Sequence, residues 1–491
     1  MVGATMSLTN PGAAQFDGKR VAVVGLGKSG QASLQALTTL TGAVVSAWDA
    51  DISSLASVAA LPLDTAGSHQ DPSHLADKVL TWQPDIIVPA PAIAEISPLF
   101  STGVQLCSEI ELAWQLRAVD EAGWYAPWLC VTGTNGKTTT VSMTAAILDR
   151  AGLGGRAIGN VGNPAVSETS RTDGDAPRAF ALELSSFQLR TTHTMSPLAS
   201  VCLNFADDHL EWHGSRAAYR NAKARIYEHT QQACLYPADD AVVQEMVDEA
   251  DVIEGARAIG MTPGLPAVGM IGVVDGIVVD RAFGKKRWTE GIELFEIADI
   301  AHLAPAGSAL PEHILRDAIA AASLARAAGV EPGVIRDALR DFSAGGHRLE
   351  LVNTVDGVRY VDDSKATNAH AAHASLQAQE DRSVVWIVGG QAKGAQFDEL
   401  VASQRSKLRS VVVIGVDQEP WRQALDGIDI PVVWIAPDAR DPMEQAVKAA
   451  QQLAAGWGTV LLAPACASLD QFSSYAQRGE LFATAVRGLH G

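Results

Sequence analysis

Cysteine is scarce. The 491 residues hold five, Cys107, Cys130, Cys202, Cys234 and Cys466, and no two of them form a C-x-x-C pair. That scatter excludes a disulfide framework and a zinc knuckle, and it predicts buried thiols in a reducing cytoplasm. Basic charge is also short, with 37 lysines and arginines against 56 acidic residues and a formal charge of -19. A field of that sign repels phosphate backbones and anionic lipid surfaces, so no nucleic-acid partner is expected. An anionic ligand would have to be held by local groups, namely backbone amides, a few lysines and arginines, or metal ions. No uninterrupted apolar run reaches membrane-spanning length, and the opening MVGATMSLTNPGAAQFDGKR lacks both the basic start and the apolar block of a signal peptide. The expectation is a soluble, cytoplasmic chain without membrane insertion. Apolar residues make up 47% of the composition and are spread along the length, so every part is expected to fold.

What is present is a series of short apolar runs separated by glycine loops and helical stretches. At ~150 residues per domain the length predicts roughly three domains. Lys19 to Val24 and Ala43 to Trp48 read as strands around a glycine loop and a helix, a βαβ start, and Ile86 to Val88 and Gly103 to Leu106 extend that sheet. A second block opens with the strand Trp128 to Thr132. Its later strands, Ala179 to Leu184 and Leu198 to Asn204, run into polar residues at the carboxyl ends where ligands collect. VGMIGVVDGIVVD reads as a hairpin turning at Asp275-Gly276, and Glu312 to Ala328 as a long Ala-rich helix. After Gly345-Gly346 a second Asp-Gly hairpin, LVNTVDGVRYV, leads to VVWIVGG, VVVIGV, VVWIA and TVLLAPA alternating with helices, again an open parallel sheet. The fold class is α/β: a Rossmann-like domain over 1–108, a central phosphate-loop mononucleotide-binding domain over 109–343, and a Rossmann-like α/β domain over 344–491.

The segment VTGTNGKTTT, 131–140, follows a strand and opens a helix, so its successive backbone N–H groups and the helix dipole can surround a phosphate. Gly133, Thr134, Asn135, Gly136, Lys137, Thr138 and Thr139 form this loop. Lys137 would reach the β and γ phosphates, and the hydroxyl of Thr138 would bind magnesium. A valine occupies position 131, where the usual pattern has glycine, so the loop is a shortened relative. Magnesium takes further oxygen ligands, and Glu183 at the end of FALEL is a carboxylate that burial would penalise unless it is paired or bound to metal. Asp207, Asp208 and His209 offer a second metal position. On residue chemistry alone, Lys223 in NAKARIY is most simply a solvated lysine.

VAVVGLGKSG satisfies G-x-G-x-x-G through Gly25, Gly27 and Gly30, with Lys28 and Ser29 opening the helix and Asp49 ending the next strand. The usual rule predicts an NAD enzyme. The motif itself reports only a backbone that can approach a diphosphate, and a UDP-linked sugar carries one as well, so three glycines leave the ligand open.

The segments GTNGKTT, ALELSSFQL, NFADDHLEWHG, NAKARIY, GGHRLE, DDSKATN and LAPACASLDQF stand in one order along essentially the whole chain. In this the chain resembles the Mur ligases, and LELSSFQL, DDSKATN and PACASLDQF resemble the branch that uses D-glutamate. The resemblance implies ATP, two Mg2+ ions and, as substrates, UDP-N-acetylmuramoyl-L-alanine on the first domain and D-glutamate on the third. It implies an acyl phosphate formed by the alanine carboxylate, attack by the D-glutamate amine, and a monomeric enzyme of peptidoglycan precursor synthesis.

Residue by residue, the resemblance puts Lys137 and Thr138 on ATP, Glu183 with the first magnesium and His209 with the second. It matches Asn160 to a substrate contact and Lys223 to a lysine carbamylated by carbon dioxide. Arg348 and Lys365 match positions near the phosphates, and Asp363 matches a nucleotide contact. Thr367, Lys393, Ser468 and Tyr475 match the D-glutamate pocket. Where the family often has HN-x-x-N, this chain has His313, Ile314 and Asp317, which leaves Asp317 at an adenine-contact position. Ala90, Pro91, Ala92 and Ile93 replace S-P-G-I, and Ala50 and Asp51 stand where some members place Thr and Arg. Two rival classes are a nicotinamide oxidoreductase on the Gly25 loop, which leaves GTNGKTT unexplained, and a phosphate-loop switch, which leaves the third block's lysines and hydroxyls without a ligand.

Overall fold

The computed structural model describes residues 7–93, 97–304, 309–343, 349–377, 379–392 and 394–489. The chain divides into two compact units, one of Met1–Ile297 with Arg316–Phe342 and one of Ala298–Leu315 with Ser343–Gly491.

The first unit holds a five-stranded parallel sheet and a nine-stranded mixed one. In the first, the strands run in the order Thr65–Ser68, Val44–Asp49, Arg20–Val24, Ile86–Pro89, Gln105–Leu106. The chain winds outward from Arg20–Val24 in one direction and then returns to its other side. The order therefore reverses between Arg20–Val24 and Ile86–Pro89, and a crevice opens at their carboxyl ends. Alternate residues of the central strand feed different layers: Val21 and Val23 join the core shared with the second sheet, Ala22 and Val24 the core on the opposite face. This two-sided burial is why parallel strands read as unbroken apolar runs.

The second sheet has nine strands, and Trp128–Thr132 lies in it between Phe180–Glu183 and Ala199–Cys202, all parallel. Three loops therefore emerge side by side at one edge. At the far side the sheet ends in an antiparallel meander, Met270–Val274, Ile277–Asp280 and Ile292–Glu296. Its first turn is the expected Asp275-Gly276, where both residues have positive φ (50° and 81°) as a two-residue turn requires. A two-stranded ribbon joins Leu8–Thr9 to Val119–Asp120, and the core runs without interruption from Phe16 to Cys234, so the first two sheets share one apolar interior.

In the second unit six strands run in the order Glu350–Val355, Val358–Asp362, Gly458–Leu462, Val384–Gly389, Leu408–Ile414, Val432–Trp434. The first pair is the expected hairpin, turning at Asp356-Gly357, and the rest are parallel. Val384, Trp386 and Val388 face one core, and Val385 and Ile387 the other. All five cysteines are buried and unpaired. No helix among the described residues is long and apolar enough to cross a membrane.

Candidate active site

The phosphate loop is built by one backbone conformation and one amide. Gly136 caps the helix Lys137–Arg150 in the left-handed region, φ 81°, which a side chain rarely adopts. A Cβ there would also stand 2.3 Å from the carboxylate of Asp317, so the Ala-rich helix Glu312–Ala327 delivers that acid to the loop. Asn204, two residues beyond the neighbouring strand, holds the loop from the other side. Its Oδ1 accepts from the N–H groups of Thr134 (3.0 Å) and Asn135 (2.9 Å), and its Nδ2 donates to Asn135 O at 3.2 Å. The Thr134 hydroxyl donates to Ala206 O at 3.1 Å and lies 3.2 Å from the Tyr219 hydroxyl. Lys137 folds back so that its Nζ donates to Gly133 O (2.8 Å) and Thr134 O (2.9 Å). Thr138 and Thr139 occupy the first turn of the helix.

Lys223 departs from the residue-level expectation. It is not solvated but only 2% exposed, and its Nζ donates to the same Gly133 carbonyl at 2.8 Å. The helix Arg216–Ala224, capped by Ser215, places it one turn after Tyr219, whose ring centroid lies 4.9 Å from the ammonium. Burial is the largest cause that pulls its pKa from 10.5 down to about 7. The nearby Lys137 charge adds to the fall, while Asp208 and Glu183 oppose it.

Glu183 is 2% exposed and ends its strand in register with Val131, and its Oε1 accepts from Asn160 Nδ2 at 2.8 Å. The structure thus brings Asn160, Glu183, Lys223 and the phosphate loop to one sheet edge. His209 stands in the left-handed region, φ 52°, with its N–H on Asp208 Oδ1 at 2.9 Å and its ring 4.7 Å from that of Phe187. A non-glycine residue held there is a strained arrangement of the kind found at functional sites. Asp207 is drawn away into an ion pair with Arg216 at 2.6 Å. Behind His209, the rings of Phe187, Trp212 and His213 pack together, with His213 Nε2 2.9 Å from the Ser186 hydroxyl.

At the crevice of the first sheet, Gly25 and Gly30 are fixed by close approach. A Cβ on Gly30 would lie 1.9 Å from Gly25 O, whereas one on Gly27 would meet nothing. Gly27 and Lys28 are exposed at the mouth, and Ser29 lies in the first helical turn. Asp49 holds the loop itself, accepting from Leu26 N–H at 2.5 Å and from Asp51 N–H at 2.9 Å. Asp51 caps the following short helix through Ser53.

In the second unit, three parallel strands deliver three loops to one edge. Asp363, Lys365 and Thr367 follow Val358–Asp362, and Ser468 follows Gly458–Leu462, whose loop exchanges backbone hydrogen bonds with Gln391 beyond Val384–Gly389. Lys365 Nζ sits 3.9 Å from the centroid of the Tyr475 ring. Asp363 Oδ2 accepts from Ser375. Arg348 and Lys393 lie outside the described residues. Residue reasoning missed Arg478, which is fully buried and donates to Ser364 Oγ (2.9 Å), Ser364 O (2.8 Å) and Cys466 O (3.1 Å), tying two of the three loops together.

A strand–loop–helix phosphate site with a buried lysine and carboxylate beside it defines a phosphate-loop nucleotide-binding protein of the α/β class. Residues 131–260 match the family model described as the Mur ligase middle domain, and residues 347–466 that of the Mur ligase, glutamate ligase domain. A curated UDP-N-acetylmuramoylalanine–D-glutamate ligase of Streptomyces coelicolor is 45% identical over 97% of this chain and 99% of its own length. One of Thermobifida fusca is 41% identical over 97% and 100%. The solved structure of a UDP-N-acetylmuramate-alanine ligase from Thermotoga maritima aligns with a TM-score of 0.54 over 96% of this chain and 99% of that one. At 17% identity that likeness concerns the fold alone. The chain belongs to the Mur ligase family.

Proposed function

We propose that this chain joins the alanine carboxylate of UDP-N-acetylmuramoyl-L-alanine to the amine of D-glutamate, the ATP-dependent ligase step that its full-length relatives are named for. The reading makes it an enzyme of peptidoglycan precursor synthesis. The observation that carries its chemistry is Lys223, a buried amine poised on the phosphate loop beside Glu183.

The carboxylate oxygen of the alanyl group attacks the γ-phosphorus, and the bond to the departing ADP breaks. The resulting acyl phosphate is attacked at its carbonyl carbon by the D-glutamate amine, and the tetrahedral intermediate collapses with release of phosphate. Both steps concentrate negative charge, so cations placed in advance lower the barrier. Lys137 supplies one at the mouth of the loop. Magnesium, when bound, would neutralise phosphate oxygens. The donors present suit it: the Thr138 hydroxyl, the Glu183 carboxylate, and His209, with Lys223 as a fourth once converted to a carbamate. Only an unprotonated amine adds carbon dioxide, and a pKa of about 7 leaves Lys223 substantially neutral at physiological pH. Conversion turns a donor and cation into an anionic oxygen ligand, which fits a hard metal ion.

Asn160, which positions Glu183, stands where the acceptor substrate meets the loop. The crevice over Gly25, Gly27, Lys28 and Ser29 receives the UDP diphosphate, with Asp49 and Gly30 shaping it. Arg348, Asp363 and Asp317 serve the nucleotide. Lys365 stands near the phosphates with Arg348, and Thr367, Lys393, Ser468 and Tyr475 serve D-glutamate, whose two carboxylates need several donors to offset their desolvation.

The reading is tested by phosphate release. It should require ATP, magnesium, UDP-N-acetylmuramoyl-L-alanine and D-glutamate together, and a panel of amino acids should leave D-glutamate the only efficient acceptor. Release unchanged by omitting D-glutamate refutes it.

A further inference from the structure

Among the described residues Arg117 is a cation without a counter-ion. It follows the helix Glu109–Gln115, and its guanidinium lies over the rings of Trp114 (3.9 Å to the centroid) and Tyr125 (4.6 Å), which meet edge to face. Nη1 donates to Trp114 O at 2.5 Å, while Nε is buried with no acceptor, and no carboxylate of the described residues pairs with the group. Its burial lowers its pKa. The chain carries 56 acidic residues, yet none of the described ones pairs with this guanidinium, although a half-buried charge is costly without a partner.

Arg117 also lines a cleft of about 250 Å³. Gln15, Gln115 and Thr194 line its polar side, and Pro11, Trp114 and Val119 its apolar side. The nearby Glu111 does not serve Arg117. Its two oxygens accept from the N–H groups of His193 and Thr194, from the Thr194 hydroxyl and from Gln115 Nε2. Arg117 is the one charged residue of the cleft's lining. The volume lies below the ~300–1,000 Å³ usual for drug-sized ligands, too little for a nucleotide sugar.

We propose that this cleft binds a small carboxylic acid, with its carboxylate on Arg117 and its carbon body against Trp114, Pro11 and Val119. A single cation beside an apolar wall suits a monoanion with a carbon body. A phosphate dianion would call for several converging donors. The helix Glu109–Gln115 packs against both the helix Lys28–Leu40 of the first sheet and the helix Ala165–Thr169 of the second. An acid bound in the cleft therefore stiffens the join between the two sheets of this unit.

Titration calorimetry of the full chain with benzoate, and in parallel with inorganic phosphate, tests the site. One saturable benzoate site is expected, weakened at least about tenfold by Arg117→Gln. Gln15→Glu, which places a negative charge on the cleft wall at an exposed position and leaves the Arg117–Trp114–Tyr125 contacts intact, should weaken it several-fold with an unchanged melting temperature. Lys137→Ala should leave benzoate binding as it was. Absence of a saturable benzoate heat, equal affinity in both cleft variants and the parent, or Arg117-dependent binding of phosphate without benzoate each overturns the proposal. Should Arg117→Gln fail to fold, Gln15→Glu decides alone.

Discussion

Replacing Lys223 by methionine should raise stability and abolish ligase activity together, and the gain should fade as the pH rises. Burial takes the lysine pKa from 10.5 to about 7. At ~1.4 kcal/mol per unit, holding the amine in the fold costs ~5 kcal/mol wherever the unfolded chain would keep it protonated and the folded chain is below its own pKa. Between about pH 7 and 10.5 the unfolded state binds more protons than the folded one, so the parent's stability rises with pH across that window. The cost is complete below about pH 7 and falls to ~2 kcal/mol by about pH 9. Methionine has a similar length and no titrating group, so the difference between variant and parent isolates this contribution. Thermal unfolding by circular dichroism, in buffers depleted of carbon dioxide, should show the variant's melting-temperature advantage shrinking by on the order of 5 °C between about pH 6 and pH 9. A constant advantage, or a variant less stable than the parent at about pH 6, refutes the reasoning. In the parent, added bicarbonate should raise the initial rate of phosphate release more at about pH 6, where little of the amine is neutral, than at about pH 8.

Asn204→Ala removes all three hydrogen bonds from its amide to the phosphate loop. It should cost about 1–3 kcal/mol of stability and weaken ADP binding roughly tenfold by calorimetry. Gly30→Ala places a methyl 1.9 Å from the Gly25 carbonyl oxygen. It should lower the melting temperature by a measurable ~1–3 kcal/mol equivalent and abolish UDP-sugar binding, whereas Gly27→Ala, which meets nothing, should leave stability unchanged. Arg478→Lys keeps the charge but not the fork that bonds Ser364 and Cys466. It should raise the KM for D-glutamate at least about tenfold, and an unchanged KM for D-glutamate would show that Arg478 does not act through the third sheet's loops.

Much of the fold was legible because its demands are local. Asp275-Gly276 and Asp356-Gly357 are turns whatever surrounds them, since few other pairs tolerate positive φ at both positions. The runs VAVV, WLCVT and VVWIV are buried on both faces, so their unbroken apolarity marks parallel strands without knowledge of their order. Strand order was not legible, and the site depends on it. Asn204 meets Thr134 only because Ala199–Cys202 and Trp128–Thr132 are neighbours. Nothing in an asparagine two residues past a strand announces that.

Lys223 and Arg478 were hidden for a different reason, and in each case the sequence holds a signal that residue chemistry overlooks. On its helix Lys223 lies four residues after Tyr219 and three before Ile226, both buried, so it occupies the apolar stripe and not the polar face. Arg478 opens the stripe Arg478, Phe482, Val486 at spacings of four, and all three are buried. A cation in a stripe position must either unfold its helix from the core or find carbonyls, rings or anions inside it, because a bare buried charge costs too much. Here one cation finds Gly133 O and the Tyr219 ring, the other Ser364 and Cys466. Each ends on a loop that the proposed chemistry uses. The position of a charge relative to its helix's apolar stripe therefore separates these two from solvated lysines such as Lys448, which pairs with Glu444 on an exposed face. Composition and motif spacing alone do not make that distinction.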